Sequence, residues 1–277
     1  MSDVPQIFDQ RLRRSRRARA AKSCQASAFL SEAVAGELIE RLQAVNRKFS
    51  TAVWHGAPTT ATSWITSDSV PAFAGKAGVV FSEEQLPFAA ASLDLYASLL
   101  TLHAVNDLPG ALTQIKRCLR PDGLFLAALF GGQTLHELKS SLAQAEIEID
   151  GGLSPRVFPF ADIRDAGGLL QRAAFALPVA DADKITVHYD HPLKLLADLQ
   201  GMGETNILRQ RRKLFLKRRV LMRAMEIYIN EFTGSDGRVR ATFEVIYLTG
   251  WAPHESQQQP LKPGSGKIPL ADALKRT

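Results

Sequence analysis

Residues 93–130, LDLYASLLTLHAVNDLPGALTQIKRCLRPDGLFLAALF, decide the fold of this 277-residue chain. The runs 93–100 and 124–130 are almost entirely apolar, which is typical of strands buried on both faces of a parallel sheet. Between them, Asp107 is placed to cap a helix that has Pro109 in its first turn. The sequence PDG at 121–123 then forms a turn. Strand, helix and buried strand in this order predict a parallel α/β sheet.

Shorter apolar runs on both sides extend this pattern. Candidate strands lie at 52–54, 64–66, 78–81, 185–189 and 241–251, and candidate helices lie at 7–22, 29–49, 135–149, 162–175, 192–199 and 206–232. We therefore predict three regions: basic and amphipathic helices over 1–50, an α/β domain over 51–253 that includes a helical insertion at 192–233, and an extended tail over 254–277.

The interval between the first two candidate strands is unusually short. Nine residues, HGAPTTATS at 55–63, separate Trp54 from Trp64. A crossover between parallel strands normally needs about a dozen residues or more and usually contains a helix. The next interval, 68–77, is also short and shows no helical periodicity. We predict that the first two crossover helices are reduced or missing, so that these crossovers of the sheet are essentially loops.

Composition is that of a globular protein, with 45% hydrophobic and 22% charged residues. No apolar run approaches the roughly 18 residues that a transmembrane helix requires, and no signal-peptide core follows Met1. The Arg-rich start leaves a mitochondrial transit peptide open, although Asp3 and Asp9 are atypical of one. Cys24 and Cys118 are far apart, so no disulfide framework is expected.

The net charge of +6 is unevenly distributed. Residues 1–22 carry +5 and residues 209–223 carry +8, which leaves −7 for the rest of the chain. A helix over 206–232 would place Arg212, Arg219 and Arg223 on one exposed face. We predict that this face binds an acidic protein or an anionic membrane surface, with a merely solvated face as the alternative. Nucleic acid is not the expected partner, because aromatic residues are not interleaved with the basic ones.

Several motifs resemble those of the class I S-adenosylmethionine-dependent methyltransferases of type 11. These are LPF at 86–88, LDL at 93–95 and RPDG at 120–123, followed by the more distinctive LHAVNDLP at 102–109, LFGGQTLHEL at 129–138, GGLSPRVFPF at 151–160 and LQGMGETN at 199–206. The set is similar to the branch that contains the mitochondrial complex I assembly factor 5, an arginine hydroxylase. The resemblance implies a Rossmann-like, mostly parallel seven-stranded sheet with the cofactor above its carboxyl strand ends.

The cofactor that this resemblance implies is S-adenosylmethionine. The family binds it with a glycine-rich turn after the first strand, because glycine permits close approach of the backbone. Here only Gly56 remains of that turn, with Trp54 at the usual acidic position. The resemblance assigns Asp68 to the ribose, Ser82 and the adjacent Glu83 to the adenine, and Ser98 to the same site, although an ordinary loop aspartate is an equal interpretation of Asp68. The reduced turn predicts weak or absent cofactor binding.

A substrate pocket is expected where the loops after the later strands converge. Its candidate residues are His103, Asn106, Gly131, Gly132, Arg156, Met202 and Glu204. For most of them a structural role is the alternative, as a turn, a helix terminator or a surface charge. No metal site is predicted, because the spacing of His188 and His191 on a strand does not favour convergence on an ion.

Two function classes follow. The first is an enzyme that methylates or hydroxylates a protein, for which the sequence identifies no catalytic residue. The second is a non-catalytic module that binds a protein partner, such as a respiratory complex I subunit, during assembly. The resemblance implies a location in the bacterial cytoplasm or the mitochondrial matrix. Attraction of the basic 209–223 segment to an anionic membrane would make the protein peripheral to that membrane.

Overall fold

The computed structural model describes residues 4–57 and 64–258, and its centre is a seven-stranded sheet. The strands are β1 Ala52–His55, β2 Ile65–Asp68, β3 Val79–Val80, β4 Leu93–Leu99, β5 Leu119–Phe130, β6 Ala176–Tyr189 and β7 Val239–Trp251. Their order is β3-β2-β1-β4-β5-β7-β6. The first five strands run parallel, and β7 is antiparallel to both β5 and β6. The predicted mostly parallel α/β sheet is confirmed.

Helices cover both faces of the sheet. They are α1 Gln10–Ala20, α2 Phe29–Gln43, α3 Pro71–Ala74, α4 Leu108–Cys118, α5 His136–Asp150, α6 Ile163–Arg172, α7 Pro192–Met202 and α8 Arg218–Phe232, with 3-10 turns at Cys24–Ser27 and Leu102–Ala104. The apolar sides of α2, α5, α7 and α8 pack on one face, and those of α4 and α6 pack on the other. The central strands are therefore buried on both faces, which explains their nearly continuous apolar sequences.

The two short crossovers differ in the part of the chain that the structure describes. The second contains one turn of helix, α3, with Pro71 at its start and Gly75 after its end. This single turn is a reduced crossover helix, as predicted, rather than a plain loop, because Pro fits the first turn of a helix and Gly its end. In the first crossover Gly56 and Ala57 are described, while residues 58–63, including Pro58 and most of the predicted loop, lie outside the described residues.

The prediction of one long helix over 206–232 was wrong, because α8 begins only at Arg218. Residues 207–209 instead pair with the N-terminal segment, through Asp9 N to Ile207 O at 2.9 Å and Arg209 N to Ile7 O at 2.8 Å. Leu208 also forms a bridge with Phe8, and both side chains are buried. This long-range pairing uses backbone groups that a continuous helix would need, so tertiary contacts override the local pattern.

The proposed basic face therefore does not form as predicted. Arg212 lies outside the helix and forms an ion pair with Asp150 at 2.6 Å, and Arg223 on α8 forms one with Glu148 at 2.6 Å. The expected extended tail falls mostly at 259–277, outside the described residues. No described helix is long and apolar enough to cross a membrane.

Candidate functional site

The cleft above the carboxyl ends of β1, β2 and β4 is where the resemblance places a cofactor. Gly56 follows β1 with φ +101°, a conformation that side chains other than glycine rarely adopt. A Cβ atom built there would lie 2.3 Å from the carbonyl oxygen of Leu99. The surviving glycine is thus required by the close approach of β1 to β4, whether or not a ligand binds.

Asp68, at the end of β2, is completely buried. Its Oδ2 accepts a hydrogen bond of 2.6 Å from Nη2 of Arg17, on α1. Its Oδ1 accepts from the backbone N–H of Val70 at 3.0 Å. Arg17 also lies over the ring of Phe73, with 5.0 Å between the guanidinium carbon and the ring centroid. Both carboxylate oxygens of the candidate ribose ligand are therefore occupied by groups of the chain itself.

Glu83 is held in the same way by the previous turn of α1. Nη1 and Nη2 of Arg13 donate to its two carboxylate oxygens at 3.2 and 2.9 Å, and Nη2 also donates to the carbonyl of Thr101 at 2.8 Å. Nε2 of His55 lies 3.4 Å from the same carboxylate. Burial opposes ionisation of Glu83, but Arg13 and His55 outweigh it and hold its pKa well below the usual range.

Helix α1 is fixed in the cleft by its N-terminal connections. Asp9 caps the helix by accepting from the N–H of Leu12 at 3.0 Å. The side chain of Asn106 accepts from the N–H of Phe8 at 2.7 Å, and the side chain of Gln10 donates to the carbonyl of Ala104 at 2.7 Å. Asn106, expected in the substrate pocket, thus anchors the segment that places the two arginines.

The described residues leave a small cavity beside Arg17 in this cleft. It measures about 120 Å³ and is lined by residues that include Arg17, Ala57, Phe73, Met202 and Glu204. Ligand sites for molecules of cofactor size usually measure about 300–1,000 Å³. Ser98 is buried and hydrogen-bonded to Thr101 at 2.9 Å, and the Ser82 hydroxyl accepts from the N–H of Glu84 at 3.3 Å. The described residues do not fit S-adenosylmethionine while α1 occupies this position.

A larger cavity of about 890 Å³ lies beside the cleft. The rings of Phe130, Phe158 and Phe160 contribute to its wall and also surround His103, with centroid distances of 4.8, 6.3 and 5.8 Å. Nε2 of His103 is 3.1 Å from a carboxylate oxygen of Glu204. Burial alone would raise the pKa of Glu204, but His103 and Arg17 lower it below its ordinary value. The carboxylate is therefore an ionised acceptor between the two cavities.

The remaining candidate pocket residues are placed in two ways. Arg156 contributes to the wall of the larger cavity and donates from Nε to Glu146 at 3.0 Å. Gly131 donates its N–H to the carbonyl of Glu244 at 2.8 Å, and a Cβ on it would lie 2.6 Å from the Glu244 carboxylate. Gly131 and Gly132 do not line either cavity. Their turn packs against β7 instead.

Asp68, Met202, Glu204 and His103 lie in one region of the structure. The arginines that also lie in this region, Arg13 and Arg17, are not among the site residues that the sequence predicts. The sequence pattern predicts Arg13 and Arg17 only as members of a basic helix over 7–22. Their spacing of four residues places them on one helix face, together with the small Ala20 three residues further on. That spacing indicates a common face of the helix, which the structure buries. The acidic partners, Glu83 and Asp68, lie 70 and 51 residues away, and nothing local to the helix predicts such contacts.

Comparisons with known proteins give a consistent assignment. A family model described as "Methyltransferase domain" matches residues 64–127. The arginine-hydroxylase NDUFAF5 of Rattus norvegicus mitochondria is 35% identical over 286 aligned residues, covering 96% of this chain and 83% of that protein. The Danio rerio protein of the same name is 45% identical over 197 residues, which cover 71% of this chain and 61% of the relative. The match thus spans about three fifths of the zebrafish protein.

Among solved structures, the YcgJ protein of Bacillus subtilis superimposes with a TM-score of 0.52 at 13% identity, covering 78% of this chain and 98% of that one. At this identity the similarity concerns the fold alone. It agrees with the strand order β3-β2-β1-β4-β5-β7-β6.

Proposed function

The chain belongs to the family of the mitochondrial arginine-hydroxylases NDUFAF5, and from this premise we propose that it serves the assembly of respiratory complex I by binding a protein partner. The partner, a complex I subunit or an assembly intermediate, presents a segment to the larger cavity. The proposed compartment is the one in which complex I matures, the mitochondrial matrix or the bacterial cytoplasm. Tight binding of S-adenosylmethionine is not part of this function.

One observation carries the proposal: arginines of α1 pair with the acids that the resemblance assigns to the cofactor, while the neighbouring cavity stays open. Arg13 and Arg17 pair with Glu83 and Asp68, the two acids that the resemblance assigns to the nucleoside. The cavity beside Arg17 measures about 120 Å³, against about 890 Å³ for the cavity next to it. A cofactor would have to displace two buried, charge-assisted ion pairs, each of which is stronger than a neutral hydrogen bond. The open cavity needs no such rearrangement.

A catalytic role, methyl transfer or hydroxylation of the partner, is a second candidate. The persistence of two buried carboxylates, Asp68 and Glu83, beside the cleft favours it. It requires α1 to leave the cleft so that these acids become available. The described residues give no route for either reaction while Arg13 and Arg17 hold them.

The test is removal of the protein from its host and measurement of assembled complex I on native gels. We expect loss of the mature complex with accumulation of a smaller assembly intermediate, and rescue by the intact gene. Rescue should also be obtained with Gly132→Ala, since a Cβ there lies 3.9 Å from its nearest neighbour and Gly132 is outside both cavities. Unchanged levels of complex I after deletion would refute the assembly role.

A further inference from the structure

The larger cavity combines an apolar interior with a positively charged edge. Its wall contains the buried side chains of Leu138, Leu142 and Phe243, besides the phenylalanines already described. Its volume of about 890 Å³ lies within the range of small-molecule sites. A cavity of this kind favours a ligand with a substantial apolar body.

Three of the charged groups in the wall already have hydrogen-bond partners within the chain. Arg156 is paired with Glu146, and Glu204 is paired with His103. Asp198 accepts a hydrogen bond of 3.1 Å from the hydroxyl of Ser27. Arg156 and Glu204 therefore present little uncompensated charge to a ligand, whereas Asp198 keeps its negative charge on the Ser27 side of the wall.

Two arginines of α1 differ from the others. Nη1 of Arg16 donates to the uncharged Thr205 hydroxyl at 3.0 Å and to the carbonyl of Asn206. Arg19 is exposed at the cavity and forms no ion pair within the ranges that the structure describes. Burial lowers the pKa of Arg16, and the neighbouring charges of Arg211 and Arg19 lower it further, with only a small opposing effect of Asp9. Arg16 and Arg19 thus place two positive charges at the edge of the cavity, and neither forms an ion pair with a carboxylate of the described residues.

We propose that this cavity binds a small anionic amphiphile, an apolar chain that ends in a carboxylate. The chain lies against the buried aromatic and leucine side chains, and the carboxylate is received by Arg16 and Arg19. A guanidinium suits this task because its planar donors match the two oxygens of a carboxylate. The ligand would occupy the cavity that the proposed function offers to the partner's segment, but it is inferred from a separate observation, the absence of ion pairs at Arg16 and Arg19 among the described residues, and is tested separately.

The experiment compares three twelve-carbon probes below their micellar concentrations: dodecanoate, dodecanol and dodecyltrimethylammonium. Binding is measured by isothermal titration and by displacement of an environment-sensitive fluorophore. We expect dodecanoate to bind with one-to-one stoichiometry at least about tenfold more tightly than dodecanol, and the cation to bind weakest. Each of Arg16→Ala and Arg19→Ala should weaken dodecanoate binding about tenfold, the typical loss for one charge-assisted hydrogen bond. Neither change should affect dodecanol.

Two further variants make the result specific to this cavity. Arg14→Ala removes the same charge from an exposed position of α1 that does not line the cavity, and it should leave dodecanoate binding unchanged. Ala197→Trp, at an exposed position of the cavity wall, should block all three probes without disturbing the core. Equal affinity for dodecanoate and dodecanol, no response to either arginine change, or no effect of Ala197→Trp would overturn the proposal. Complex I assembly is scored separately, so failure here leaves the assembly role to its own test.

Discussion

Replacement of Arg13 by Ala should destabilise the protein strongly, because it leaves a carboxylate buried without its cation. Glu83 is only 1% exposed and would lose hydrogen bonds of 2.9 and 3.2 Å, while Thr101 O would lose its 2.8 Å donor. Breaking a buried ion pair typically costs about 3–5 kcal/mol. His55 Nε2, 3.4 Å from Glu83, partly compensates, so we expect a loss near the lower end, about 3 kcal/mol. Urea denaturation at pH 7 measures this loss.

A double-mutant cycle separates the ion pair from simple loss of packing. Arg13→Met combined with Glu83→Leu removes both charges, so it should cost less than the two single changes added together, with a coupling of about 2 kcal/mol. Arg14→Ala, at an exposed position on the same helix, should change stability by no more than about 0.5 kcal/mol. A loss below about 1 kcal/mol for Arg13→Ala, or strict additivity in the cycle, would contradict the buried ion pair.

Three further outcomes are expected. In the folded protein Arg13 and His55 depress the pKa of Glu83 against the opposing effect of burial. Ionised Glu83 therefore stabilises the protein above its unfolded pKa of about 4.3, and this stabilisation is lost as the pH falls below that value. The decrease in the free energy of unfolding between about pH 4.5 and 2 should be shallower in Glu83→Gln, and equal slopes would contradict this. Gly56→Ala should lower the free energy of unfolding by about 1–3 kcal/mol in the same assay, because Gly56 has a positive φ and a Cβ there would contact the carbonyl oxygen of Leu99. Gly36→Ala, inside α2 with open space around it, should raise it by about 0.5–1 kcal/mol. Similar effects at both glycines would argue against the close approach at β1. Phe215 is 100% exposed within the basic segment 209–223. Phe215→Ser should therefore weaken sedimentation of the protein with anionic vesicles at low salt, while Leu153→Ser, also exposed but outside that segment, should not. Unchanged sedimentation of Phe215→Ser would count against a membrane-facing role of the basic segment.

The sheet could be predicted from sequence because its signals are local. The buried runs at 93–100 and 124–130, with a capped helix between them, correspond to β4, α4 and β5. The long helix over 206–232 failed for the opposite reason. Residues 207–209, near its start, pair with residues 7–9 about 200 positions earlier, and no periodicity within 206–217 reports such a contact.

The candidate site shows the same division. Asp68 and Glu83 were selected from their positions after β2 and β3, and the structure places both beside the cleft. What fills the cleft could not be inferred, because a basic helix has the same pattern whether its arginines face water or buried acids. Asn106 and Ala104 hold Phe8 and Gln10, at the start of α1, by hydrogen bonds between residues more than 90 positions apart, and no local pattern reports such contacts.

The most direct test of the central claim is isothermal titration of S-adenosylmethionine into the intact protein. With Arg13 and Arg17 holding Glu83 and Asp68, and a cavity of only about 120 Å³ beside them, we predict no saturable heat up to millimolar cofactor. Micromolar binding that is lost in Asp68→Ala but retained in the exposed-site control Arg14→Ala would contradict the account and show that α1 yields the cleft to the cofactor.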